Sequence, residues 1–401
     1  MKSVPPPHAA ARAVGKHPRM SRFKRFLLGI TAIAHAPFVV AAAVFLQRHA
    51  AAPVLVAWGA ALALAGIGVY LFLGRAERIA NDAPRSFREV LLLDMPYYVH
   101  WSACMFCLVP SLLYLVLEPI VDAIRGQPIG PSGGFFLWTY AIGLVVAAYG
   151  VVIRRWWFVT REVEIPVRGL DARLDGYRIV HLSDLHIGAL TPPWWGRRWV
   201  DRANETNADA VVVTGDLVTS GVAFHEAIAE LIGGLVGKDG VFCSMGNHDY
   251  FGNGEPLISL IRARGPKVLR NEGVVVERDG ARLFITAIDD TWTKRADLDL
   301  ALKERPADVA TVLLAHDPDK FPQIASRGVD VVLSGHTHGG QIAVPFLGRW
   351  FNASRLAHHF HIGVYRQGDS TRYVHPGLGT TGPPIRFGVA PAVVVHTLRA
   401  V

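Results

Sequence analysis

The sequence predicts an α-helical membrane region of four transmembrane helices followed by an α/β domain. Three observations predict it. Four long apolar stretches fill the first 155 residues, short apolar runs alternate with helical ones after Arg161, and clusters of Asp, Asn, His and Gly stand where five of those later runs end. The chain accordingly divides into a basic N-terminus at 1–25, a four-helix membrane region at 26–155 and an α/β domain at 156–401. At 401 residues it is long enough for two domains.

Charge is as uneven as hydropathy. Through Arg155 the chain has 15 Lys and Arg against 6 acids, and the totals of 41 and 33 leave 26 against 27 for the remainder. The formal charge of +8 therefore belongs to the first part. A near-neutral second part is not a broad phosphate-binding surface, so no nucleic acid partner is expected. Three cysteines make no disulfide framework. Cys104 and Cys107 fall on one face of an apolar helix and Cys243 in a strand, so packing is preferred to a metal or redox Cys-x-x-Cys.

The N-terminus is basic, with Lys2, Arg12, Lys16, Arg19, Arg22, Lys24 and Arg25. The apolar stretches run over 26–46, 51–73, 91–117 and 135–153. Each is near or above the ~20 residues that cross hydrocarbon as a helix. None carries a polar face, which argues against an amphipathic surface helix, and four in succession are not the core of a soluble domain. Asp94, Pro96, His100 and Pro110 interrupt the third, placing the start of its span near Tyr98. No adjacent arginines and no small-x-small cleavage site mark the first as a cleaved signal. Lys and Arg in the short loops set orientation. Seven lie in the N-terminal flank, four in 74–89 (Arg75, Arg78, Arg85, Arg88) and three at the exit (Arg154, Arg155, Arg161), against Arg48 and Arg125 on the other side. Fourteen against two predicts both termini in the cytoplasm, and a multi-pass protein of the inner (plasma) membrane with a cytoplasmic α/β domain. Trp138, Tyr140, Trp156, Trp157 and Phe158 suit an aromatic belt at the interface.

Beyond Arg161 the predicted strands are Arg178–Leu182, Ala210–Thr214, Val241–Met245, Leu283–Ile288, Thr311–Ala315, Val329–Leu333 and Ala392–Thr397. Helices are predicted at Trp195–Asn207, Ala223–Val236, Gly254–Arg264 and Leu298–Arg305. Open α/β folds bind ligands beyond the carboxyl ends of their strands. Five clusters stand there: Ser183-Asp184-Leu185-His186, Gly215-Asp216, Gly246-Asn247-His248-Asp249, Ala315-His316-Asp317 and Gly335-His336-Thr337-His338. Singly, Asp216 reads as a helix cap, Asn247 as a turn residue and His316 as a core histidine. Together and in order they point to a metal centre, with the glycines around His336 and His338 allowing tight bends.

This ordered set resembles the calcineurin-like metallophosphoesterase superfamily over about residues 165–401. Leu174-Asp175-Gly176-Tyr177-Arg178-Ile179, Gly339-Gly340-Gln341 and the run from Gly377 to Arg386 resemble its membrane-associated bacterial branch and transmembrane proteins with a metallophosphoesterase domain. The chain departs in having Pro376, where many relatives carry arginine, and in lacking a twin-arginine export signal. The resemblance implies an α/β metallophosphoesterase sandwich domain and two divalent metal ions. One would be held by Asp184, His186, Asp216 and His338, the other by Asp216, Asn247, His316 and His336. Oxygen and imidazole ligands without thiolate suit Mn, Fe or Zn. The resemblance also makes His248 the proton donor to the leaving oxygen, with Asp249 orienting its ring. Arg386 is a candidate contact for a substrate phosphate. His358, His359 and His361 read as a solvated loop, and Asp289 and Asp290 as second-layer or turn residues outside the site.

The function these features predict is hydrolysis of a phosphodiester or pyrophosphate at the membrane surface. A lipid-linked substrate suits an anchored site, with the bilayer itself as partner. The membrane-associated UDP-diacylglucosamine pyrophosphatases of lipid A synthesis are similar in kind, which makes such a pyrophosphate a candidate. The alternatives are a nuclease of the same superfamily and a non-catalytic membrane receptor or scaffold with a metal-binding domain.

Overall fold

The computed structural model describes residues 22–81, 83–126, 133–345, 347–348 and 350–401, so most of the basic N-terminus, 1–21, lies outside the described residues. Among the described residues, four helices are long and apolar enough to cross a membrane: α1 (Arg25–His49), α2 (Val54–Ile79), α3 (Phe87–Arg125) and α4 (Gly133–Arg154). The chain is thus a membrane protein by length and composition of these helices. Helix α1 breaks at His35, one residue before a turn that contains Pro37, which has no N–H to continue the ladder.

Helix α3 is 39 residues long and runs through the expected interruption. A capping box starts it, the Ser86 hydroxyl accepting from Glu89 N and the Glu89 carboxylate from Ser86 N. A π-turn at Val90–Asp94 absorbs the irregularity before Pro96. Asp94 is tolerated there because Arg75 of α2, at 3.3 Å, and Arg85 both pair with it. The aromatic belt is only partly what was expected. Trp138 and Trp157 are 71% and 62% exposed. Tyr140 instead hydrogen-bonds His100 inside the bundle, and Trp156 packs against Trp195 of the next domain, 4.7 Å between ring centroids.

The α/β domain contains β1 (Val159–Val167), β2 (Arg178–Leu182), β3 (Ala210–Thr214), β4 (Val241–Ser244), β5 (Lys267–Val268), β6 (Glu272–Arg278), β7 (Ala281–Ala287), β8 (Thr311–Leu314), β9 (Val331–Ser334), β10 (Gly363–Gln367), β11 (Ser370–Val374) and β12 (Ala392–Ala400). They form two six-stranded sheets, in the orders β1-β12-β2-β3-β4-β5 and β10-β11-β9-β8-β7-β6. Strands β2 to β5 are parallel, as are β7, β8, β9 and β11.

Ile179, Val212 and Phe242 of the first sheet face Ile285, Val312 and Leu333 of the second across a buried apolar layer. Helices α5 (Pro193–Glu205), α6 (His225–Gly233) and α7 (Gly254–Arg262) cover the outer face of the first sheet, through Trp199, Ile232 and Ile261 against Leu182, Val211 and Val213. Phe321 and Ile324 cover the second. This is an α/β/β/α sandwich in which both sheets are buried on both faces, which is why their central strands read as continuous apolar runs. The helix predicted at Leu298–Arg305 is only the short α8 (Leu298–Ala301).

Candidate active site

The ends of β2, β3 and β4 in one sheet and of β8 and β9 in the other bring all five polar clusters to one edge of the sandwich. Asp184, His186 and His338 offer ligand atoms within 4.8 Å of one another, and so do Asp216, His316 and His336. Asp216 lies between the groups, its Oδ2 3.6 Å from His186 Nε2 and 3.2 Å from His316 Nε2. His338 Nε2 is 3.4 Å from Asp184 Oδ1 and 3.0 Å from His186 Nε2, and His336 Nδ1 is 3.2 Å from His316 Nε2. Asn247 is buried beside them, its Oδ1 without a hydrogen-bond partner among the described residues.

Local backbone strain aims these side chains. Asp184, His186, Asp216, His336 and His338 all have positive φ, between 44° and 72°. A non-glycine residue costs on the order of 1–3 kcal/mol in such a conformation, and it persists where the surroundings over-determine it. Here the loops brace one another: Asp184 N donates to Gly215 O, His186 N to Asp216 O, His336 N to Asp184 Oδ1 and His248 N to Asp216 Oδ1, all within 3.0 Å. Gly335 and Gly246 are required for that approach, since a Cβ on either would collide with Asp184 or Asp216.

Burial and mutual charge set the electrostatics. Burial raises the pKa of Asp184 above the usual carboxylate range. It also works to raise that of Asp216, but His316, His248 and His186 around it hold it well below. Burial opposes charge on His316, yet the adjoining Asp216 and Asp184 carboxylates push its pKa up to about 10. Burial lowers His186 and His338 well below the imidazole range. The two rings turn their Nε2 atoms toward each other at 3.0 Å beside the Asp184 and Asp216 carboxylates, a convergence of donor atoms that suits a cation.

Two expected roles differ in the structure. Asp249 does not orient the His248 ring. Its carboxylate accepts from the backbone N–H groups of Asp216, Leu217, Val218 and Gly246, at 2.8–3.2 Å, and so holds the loop carrying Asp216. His248 Nδ1 instead meets Thr219 O at 2.6 Å. Arg386 does not face a substrate. It is fully buried, donating to Pro376 O and Gly379 O, with Nη2 3.4 Å from His338 Nδ1. Its pKa falls to about 9 through burial. Pro376 and Gly379 lie in the very run that supplies these carbonyls, so this arginine braces the loop behind His338.

Three neighbours escaped the sequence reading. His358 is not in a freely solvated loop: its ring stands 5.1 Å from that of His336 and its Nδ1 is 2.9 Å from Asp319 Oδ2. Trp292 lies 5.4 Å from the His336 ring and Phe251 4.4 Å from that of His248. Asp289 binds Tyr250 and Arg270, outside the cluster.

The model of the calcineurin-like phosphoesterase family matches residues 177–340, a segment that contains every one of the clustered histidines and carboxylates. An uncharacterised metallophosphoesterase of Bacillus subtilis (strain 168), YkuE, is 33% identical over 245 residues, which is 60% of this chain and 85% of that protein. The chain belongs to the calcineurin-like metallophosphoesterase family. A transmembrane protein with metallophosphoesterase domain from Danio rerio is 34% identical over 260 residues, covering 61% of this chain. An uncharacterised metallophosphoesterase of Helicobacter pylori (strain J99 / ATCC 700824) is 32% identical over 243 residues, or 59% of this chain. The matched region spans 58% and 62% of the length of these two relatives. In this family a divalent metal centre is the general rule, and the Asp and His groups above are of the kind that holds one.

Proposed function

We propose that this protein hydrolyses a phosphodiester or pyrophosphate bond of a lipid-linked substrate at the cytoplasmic surface of the inner membrane, with two divalent cations in its α/β domain. The observation that supports it most is Asp216, whose carboxylate stands between the His186 and His316 imidazoles within 3.6 Å of each. Asp184, His186, Asp216 and His338 would hold one cation, and Asp216, Asn247, His316 and His336 the other. The donor set fits: it is buried and rich in lone pairs, and Asp184 Oδ2 and Asn247 Oδ1 have no partner among the described residues. Such a pair of cations supplies an activated water near neutral pH and stabilises the charge of an in-line displacement.

The remaining work falls to the chain. Asp249 keeps the Asp216 loop in its strained form. The Thr219 carbonyl can only accept, so His248 Nδ1 carries a proton, and it is the doubly protonated ring that would hand its second proton from Nε2 to the leaving oxygen. Arg386 positions His338. A membrane-linked substrate is supported by the docking of this domain on the helices, where Arg386 N donates to Gly150 O of α4 and Phe387 lies 5.8 Å from Phe106 of α3.

Asp216→Ala should lose both cations and essentially all activity on a nitrophenyl phosphodiester, because neither ligand set is complete without it. Elemental analysis showing two full equivalents in that variant rejects the shared carboxylate. Absent turnover by the intact protein favours the receptor or scaffold alternative, and chelator-insensitive turnover rejects metal-dependent hydrolysis. A panel of nucleotide–lipid and lipid pyrophosphates then identifies the substrate.

A further inference from the structure

A second cluster of soft and borderline metal ligands lies inside the membrane bundle. His35 of α1 and His100 and Cys104 of α3 place ligand atoms within 4.8 Å of one another. His35 and Cys104 are 2% and 0% exposed. His35 Nδ1 lies 2.7 Å from Thr31 O, a group that only accepts, so the proton is on Nδ1 and Nε2 presents a lone pair. That Nε2 has no hydrogen-bond partner among the described residues. His100 Nδ1 is held by the Tyr140 hydroxyl at 2.8 Å, and with that hydroxyl as acceptor His100 Nε2 presents a lone pair as well. Ligating histidines are oriented like this, one ring nitrogen tied to an outer partner and the other to the ion. Cys104 sits one turn beyond His100, with Sγ 3.9 Å from that ring.

Gly68 of α2 completes the cradle. A Cβ there would stand 2.8 Å from His35 Nε2 and 3.4 Å from His100 Nε2, so both nitrogens border the position this glycine leaves open. Cys107 is different: it packs against Gly143 and takes no part. The site lies about 21 Å along α1 from His49 and along α2 from Val54, at ~1.5 Å per residue. Polar groups at such depth are costly and mark function by default.

We propose that His35, His100 and Cys104 bind a single Cu(I) ion within the bundle. Bond lengths of ~2.0 Å to nitrogen and ~2.3 Å to sulfur keep the donors of a trigonal ion roughly 3.5–3.8 Å apart, against 3.9 Å between Cys104 Sγ and His100 Nε2 and at most 4.8 Å within the group. Thiolate and imidazole suit Cu(I) or Zn(II). One thiolate with a monovalent ion is uncharged, whereas Zn(II) leaves a net charge where burying one is most costly.

The test is titration of the full-length protein in detergent micelles with Cu(I) against a competing chromophoric chelator. All proteins carry Asp216→Ala, so that the α/β centre contributes equally. The parent should bind one more equivalent than its Gly68→Ala and Cys104→Ser derivatives, and X-ray absorption at the copper edge should show one sulfur neighbour, absent in Cys104→Ser. Alanine is a good helix former, so Gly68→Ala keeps the test open if Cys104→Ser fails to fold. Equal copper in parent and both derivatives, or bound copper without sulfur, overturns the proposal.

Discussion

His248 Nδ1 is committed to the Thr219 carbonyl, as His316 Nδ1 is to that of Thr214, both at 2.6 Å. If His248 Nε2 protonates the leaving oxygen, His248→Asn should keep both metals yet slow cleavage of poor leaving groups by roughly 10²–10⁴-fold. A nitrophenyl ester departs without that help and should suffer far less. Equal damage to good and poor leaving groups, with metal retained, rejects the role. Asp249→Asn should behave oppositely. An amide has one acceptor oxygen where the carboxylate has two serving four backbone N–H groups. Leaving buried donors unpaired costs about 1–3 kcal/mol each. Differential scanning should therefore show a lower Tm, together with lower metal occupancy and no change in leaving-group dependence. The clustering of these side chains was legible in the sequence because each sits at the end of an apolar strand. The partner of His248 was not, since any residue carries a carbonyl and only the fold brings Thr219 to it. His358 likewise reaches His336 only through the path of its loop.

At the scale of elements, the contact between α4 and the loop carrying Arg386 joins the membrane helices to the site. Gly150 O accepts from Arg386 N at 3.2 Å, and a Cβ on Gly150 would stand 2.8 Å from Ile385 Cγ1 and 2.9 Å from Arg386 O. Gly150→Val should push that loop away and release Arg386 from Pro376 O and Gly379 O, shifting His338. Because small misplacements at a reacting centre are expensive, turnover should fall roughly 10–10²-fold with metal content little changed. Gly74→Val on α2 meets nothing within 4 Å and serves as the control. Unchanged turnover in Gly150→Val would show that the docking does not position the site. Strands β2 and β3 were legible to the residue because burial on both faces makes them uninterrupted apolar runs. Strand β1 was not, since Arg161, Glu162 and Glu164 keep most of it partly solvated at the sheet edge. Nor was β11, whose buried Arg372 looks like a loop residue until its guanidinium is seen over Phe321, 4.9 Å from the ring, and donating to Ser334 Oγ.

For the molecule as a whole, the two-part architecture followed from hydropathy and strand pattern, whereas the way the parts meet did not. Arg155 was counted among loop charges, yet it is buried, donating to Leu190 O and lying over the Trp156 ring. Arg75 and Arg85 are likewise engaged by Asp94. The charges left to set orientation are Arg78, Arg88, Arg154, Arg161 and the basic N-terminal flank, against Arg48 and Arg125. That asymmetry still favours the cytoplasm for the loop between α2 and α3 and for the α/β domain. Val401 is 73% exposed at the end of β12, so a fusion there should leave the sandwich intact. A green fluorescent protein at that point should glow, and alkaline phosphatase, which needs periplasmic oxidation to fold, should stay inactive. The reverse pair of results would place the α/β domain outside the cytoplasm, and with it any substrate it meets.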